Sequence, residues 1–161
     1  MSQVSFEDFT GVTRRVYEYA YGIDTKDWAL YRSIFSDQVA MNFHSYNGLP
    51  ERSMTADEWV AGCQSVFMGL DATQHTMSNP LVEVVGDHAR CRMSMQATHF
   101  LITDQGSNEY TLGGFYDDRL LRTDHGWQIE AVTLNVLWHR GNRQIMDLAV
   151  ERAANSGVDQ A

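Results

Sequence analysis

Residues 88–103 read His-Ala-Arg-Cys-Arg-Met-Ser-Met-Gln-Ala-Thr-His-Phe-Leu-Ile-Thr, and their alternation decides the fold. Side chains of an extended chain point to opposite faces in turn. Ala89, Cys91, Met93, Met95, Ala97, His99 and Leu101 therefore share one face, with Arg90, Arg92, Ser94 and Gln96 on the other. The first face is expected to meet a core. Upstream, Gly86-Asp87 reads as the hairpin turn from a partner strand over 81–85, and the alternating texture reaches back to Ala72 with a bulge at Asn79-Pro80. Downstream, strands are expected over 110–122 and 127–139. The short link Thr123-Asp-His-Gly126 makes them antiparallel neighbours.

The N-terminal half has a different period. Phe6, Phe9, Val12, Val16, Tyr19, Ala20 and Ile23 recur at steps of three and four, which traces one face of a helix. Ser5 can cap it, with Asp8 three residues on and Val4 and Phe9 placed as a hydrophobic staple. Asp24-Thr-Lys-Asp-Trp28 interrupts the pattern, and Leu30, Ile34 and Phe35 suggest a short second helix. For a third helix Thr55 and Glu58 form a capping box and Met54 and Trp59 a staple; Trp59, Val60, Cys63, Val66, Phe67 and Leu70 mark its inner face, and the chain leaves near Gly69. Asn142 is placed to cap a last short helix carrying Ile145, Met146, Leu148 and Ala149. Helices segregated before an antiparallel sheet describe an α+β fold in which one curved sheet wraps a helical layer. One domain is expected over residues 1–154, with a tail over 155–161.

Composition narrows the partners. The 161 residues carry a formal net charge of -9, and no basic run exceeds Arg14-Arg15, so neither nucleic acid nor an anionic membrane is an expected partner. Nothing approaches the roughly 20-residue uncharged apolar run of a membrane span. Met1-Ser-Gln-Val4 lacks a basic region followed by an apolar core, and the cytoplasm is the expected compartment. Cys63 and Cys91 then read as core thiols rather than a disulfide. Phosphate loop, dinucleotide fingerprint, nucleophile elbow and HExxH are all absent from the sequence. His44, His75, His88, His99, His125 and His139 include no i, i+4 pair, so neither a metal nor a cofactor is expected.

Two residues are oddly placed. Asp24 stands at the end of the first helix, where the carbonyl end of the helix dipole disfavours a negative charge. Either Asp24 caps the second helix, with Asp27 three residues on, or a partner elsewhere compensates it. His75 falls where the first sheet strand begins, as a polar residue at a strand end or as a working imidazole. A carboxylate beside an imidazole holds one tautomer and stabilises the imidazolium, which makes a general base.

The segments Tyr21-Gly-Ile-Asp-Thr-Lys-Asp-Trp28, Phe35-Ser-Asp-Gln-Val39, Leu70-Asp-Ala-Thr-Gln-His-Thr-Met-Ser-Asn79, Tyr110-Thr-Leu-Gly-Gly-Phe-Tyr-Asp-Asp118 and Gly126-Trp-Gln-Ile129 follow one another in that order. Over most of its length the chain thereby resembles the SnoaL-like branch of the NTF2-like superfamily. The resemblance implies a cone of N-terminal helices on a strongly curved, mainly antiparallel sheet, enclosing a pocket. That superfamily includes dehydratases, isomerases, polyketide cyclases, epoxide hydrolases and non-enzymatic subunits.

Asp24 and His75 match the aspartate after the first helix and the histidine at a strand start in the scytalone dehydratase and hexachlorocyclohexane dehydrochlorinase members. By that similarity His75 removes a proton next to a leaving group and Asp24 orients it, as in a cofactor-independent lyase or isomerase. His99, in phase with the core face, is either a second working histidine or hydrogen-bonded core. The inner faces offer Tyr21, Phe43, Trp59, Met77, His99, Tyr110, Asn135 and Trp138 as ligand-binding candidates, with Tyr21 and Tyr110 able to hold a leaving hydroxyl or a water. The expected ligand is a small apolar, alicyclic or aromatic molecule. A non-catalytic binding or structural subunit and a polyketide cyclase-like enzyme are the alternatives. Phe100 and Ile102, on the outward phase, lead to the expectation of a homodimer or homotrimer.

Overall fold

The helical period of the N-terminal segment produces α1 (Phe6–Thr25) in the computed structural model, which describes residues 4–156. Ser5 caps α1, its Oγ accepting from the Asp8 backbone N–H at 3.0 Å. Val12, Val16, Tyr19, Ala20 and Ile23 are buried as expected, whereas Phe6 in the first turn is 83% exposed, ahead of the buried stripe. Lys26, in the left-handed conformation, ends the helix. Then α2 (Trp28–Ser33) is capped by Asp27, which accepts from Leu30 N at 3.0 Å. Asp24 is therefore still within α1 and caps nothing, which removes its capping alternative.

Two strands were not expected. Phe35, taken as helical from the sequence, opens β1 (Phe35–Asn42), which is followed by α3 (His44–Asn47) and β2 (Arg52–Thr55). β1 does not alternate cleanly in burial and β2 is four residues long, so neither has a legible period. α4 (Ala56–Phe67) begins at the expected capping box: Thr55 N donates to Glu58 Oε2 at 2.8 Å and Glu58 N to Thr55 Oγ1 at 3.2 Å.

The remaining strands are β3 (Ala72–Val85), β4 (His88–Phe100), β5 (Glu109–Thr123) and β6 (Gly126–Gly141). The sheet runs in the order β2-β1-β6-β5-β4-β3, antiparallel throughout except for the β1–β6 pair. β4 stops at Phe100, short of Thr103, because loop side chains take over its pairing: Ile102 N donates to Asp71 Oδ2 and Thr103 N to Asn108 Oδ1. The bulge expected at Asn79-Pro80 is present, with Asn79 at φ 56°. Further register shifts lie between Gly113 and Gly114 and between Arg119 and Leu120 against β6, and each bends the sheet.

The concave face carries Met93, Met95, Leu112, Tyr116, Val132 and Leu134 toward the buried stripe of α1. α5 (Gln144–Ser156) closes over α4, and Asn142 Oδ1 accepts from Gln144 N at 3.2 Å at its start. The helix is longer than expected, so Asn155 and Ser156 belong to it and not to a tail; the rest of the expected tail lies outside the described residues. Cys63 and Cys91 are free and buried. Among the described residues no helix is long and apolar enough to cross a membrane.

Candidate active site

Asp24, in the last turn of α1, faces the first residues of β3. Its carboxylate holds His75 twice: Oδ2 accepts from the His75 backbone N–H at 2.7 Å, and Oδ1 meets the ring Nδ1 at 2.7 Å. A carboxylate can only accept, so Nδ1 carries the proton and Nε2 is left with a lone pair when the ring is neutral. These charge-assisted bonds are what offsets a carboxylate at a helix C-terminus. The His75 side chain is 4% exposed and borders a cavity, while Asp24 is absent from that lining.

The cavity occupies about 780 Å³ between the helices and the concave face of the sheet, within the usual range for small-molecule sites. Beside His75 stand His99, Phe67, Ala97 and Leu112, and further along Phe43, Trp59, Cys63 and Leu134. His99 lies edge-on to His75, ring centroids 5.9 Å apart, and Phe67 packs against both. Burial first, and then the neighbouring His75, pull the His99 pKa down to about 4. His99 is thus neutral at neutral pH. Its Nδ1 lies 3.3 Å from the Tyr110 carbonyl, which can only accept, so here too Nε2 bears the lone pair.

Two tyrosines that the sequence did not single out for the site join the wall. Tyr19 and Tyr116 line the cavity with ring centroids 5.3 Å apart. Burial pushes both phenols up, so each stays an O–H donor. Trp59 is steadied by its Nε1–H, which donates to Tyr31 Oη at 3.0 Å.

Of the residues expected at the ligand, Phe43, Trp59 and His99 do line the cavity. Tyr21 does not. It is 61% exposed, because on α1 it falls outside the stripe of Val16, Tyr19 and Ile23. Helical phase alone distinguishes Tyr19 from Tyr21, and that was the signal available in the sequence. Tyr110 is buried behind His99, stacked on it at 6.1 Å, and Met77 packs into the core away from the cavity.

Asn135 and Trp138 were expected among the inward-facing side chains of this strand. The bulge at Glu130 moves the inward phase to Val132, Leu134 and Val136, which turns Asn135 outward. The second, at Leu137, turns Trp138 out over Gly113, where it is 43% exposed. Among the described residues, no three or more His, Cys, Asp or Glu side chains are grouped to hold a metal ion.

Comparison with known proteins bears on this arrangement. Residues 4–133 match the model of the SnoaL-like domain. The chain belongs to the SnoaL-like domain family. Within reach of this SnoaL-like chain is a dehydratase of Pestalotiopsis microspora, 25% identical over 149 residues that cover 88% of this chain and 94% of the relative. Scytalone dehydratase of Colletotrichum orbiculare is 24% identical over 148 residues, 84% of this chain and 76% of the relative. A crystal structure of a protein from Kribbella flavida superposes with a TM-score of 0.83 at 24% identity, covering 87% of this chain and 97% of that one. The SnoaL-like chain therefore has the α+β, NTF2-like architecture that its sequence implied.

Proposed function

We propose that this protein is a cofactor-independent lyase of the dehydratase type, with His75 as general base and Asp24 as its positioning partner. The observation that carries the reading is the double hold of Asp24 on His75, which leaves one ring nitrogen for the cavity. The His75 Nε2 lone pair takes a proton from a carbon next to the one bearing the leaving group. Electrons of that C–H bond become the new C=C bond, and the leaving group departs with its bonding pair. Asp24 stabilises the imidazolium formed, and a neutral His99 adds no opposing charge. A departing hydroxyl also needs a proton or a hydrogen bond, which the phenols of Tyr19 and Tyr116 are built to give. Returning the proton to another carbon would make the same base an isomerase.

Support also comes from the names of the relatives, two of which are dehydratases. The test is a screen of small alicyclic and aromatic β-hydroxy ketones and halides, followed by the absorbance of the new double bond. For any compound that turns over, His75→Ala is expected to lower the rate by roughly 10²–10⁴-fold with the fold retained. Asp24→Asn keeps an oxygen facing Nδ1 but removes the charge, and is expected to lower the rate as well. A loss of less than about threefold in His75→Ala would refute the role of the imidazole.

A further inference from the structure

Part of the cavity lining differs from the rest. Where it meets solvent its rim is formed by the exposed Arg143, Arg52, Asn47, Gln144 and Asp147, with Tyr46 half-buried among them. Cations are scarce in a chain of net charge -9, and among the described residues most of the arginines are held by carboxylates. Arg52, Arg119, Arg140 and Arg143 are the ones that are not, and two of these border the cavity. Asp147, one turn along α5 from Arg143, makes no ion pair with it.

The guanidinium of Arg143 is also held in place. It lies 4.8 Å over the Tyr46 ring, and its Nη2 donates to the Tyr46 carbonyl at 3.2 Å. Its Nε and Nη1 donors have no partner among the described residues. A planar fork, stacked, charged and open on one edge, is suited to a carboxylate. Asn47 adds an amide beside it, oriented by its Oδ1, which accepts from Leu49 N at 2.9 Å. The cavity thus combines the imidazole pair with Phe67 packed on it, an apolar wall that includes Phe43 and Trp59, and a cationic rim.

We propose that the substrate is an amphipathic acid, its apolar or aromatic body lying along the cavity and its carboxylate held at the rim by Arg143. The proposal rests on reading this cavity as the substrate site, but not on His75 being catalytic. Arg143 is its specificity residue, and Arg52 adds positive potential at the same rim.

The experiment titrates 2-naphthylacetic acid and 2-naphthylacetamide, alike in shape and different in charge, into the full chain by calorimetry at neutral pH and low salt. The acid is expected to bind about tenfold or more tightly than the amide. Arg143→Gln is expected to abolish that preference while changing amide affinity by less than about twofold, and Arg143→Lys to keep part of it. The preference is expected to persist in His75→Ala and to shrink as salt is raised. An acid that does not bind, an amide that binds equally well, or a preference that survives in Arg143→Gln overturns the proposal. So does a preference lost in His75→Ala, which would assign the charge reading to the imidazole. Persistence in His75→Ala together with a turnover indifferent to His75 would retain the carboxylate site and reject the elimination reading.

Discussion

His99 and Asp118 are both buried titratable side chains, and burial disfavours the charged form of each. For His99 the folded pKa of about 4 lies below the ordinary 6.5. As pH falls through 6.5 the unfolded chain takes the proton first, so stability is lost from there down to about 4, by roughly 3 kcal/mol in all. Chemical denaturation at pH 7 and pH 5 is expected to show about 2 kcal/mol of that loss, and His99→Gln to flatten it. An unchanged slope in the variant would mean that another group carries it. Asp118 acts in the opposite sense. Its carboxyl is fully buried on β5 with Oδ1 unpartnered, and burial, then the charge of Asp117, raise its pKa well above the ordinary value. The stability it retains below pH 3.8 is lost as pH rises toward that folded value. Asp118→Asn is therefore expected to gain stability over the native chain at pH 8 more than at pH 5. An equal difference at both would show that the carboxyl is already ionised in the fold.

Elements are positioned by close approaches and bulges. The chain leaves α4 at Gly69, where a Cβ would come within 1.8 Å of the Ala149 carbonyl oxygen on α5. Gly69→Ala has to push α5 outward, and overpacking of this kind costs about 1–3 kcal/mol. Urea denaturation measures it, and an unchanged midpoint would show that α5 yields freely. The displacement also moves Met146 and Val150 at the cavity wall. On β6, bulges and not periodicity decide which side chains look inward, and they remove Asn135 and Trp138 from the site. The helix caps, by contrast, were legible residue by residue, since Ser5 with Asp8 N and the capping box of Thr55 with Glu58 act within one helical turn.

At the scale of the molecule, the cavity is walled by side chains from α1, α4, α5 and the inner sheet strands at once. A ligand that fills it binds only the folded chain. At 100 times its dissociation constant, 2-naphthylacetic acid is expected to stabilise the fold by about 2.7 kcal/mol, a rise of roughly 5–10 °C in Tm for a domain of this size. Binding with no rise in Tm would place the acid on a surface that the unfolded chain also offers. The helix caps, the alternation of β4, the α+β class and the odd placement of Asp24 and His75 were legible in the sequence. Each of these is written in local spacing, or in a charge locally out of place. It took the folded chain to show that Asp24 reaches His75, that β1 lies parallel to β6, and that Tyr116 faces the cavity while Tyr110 does not. Those facts depend on contacts between distant segments and on bulges that reset side-chain phase, and neither leaves a period in the sequence.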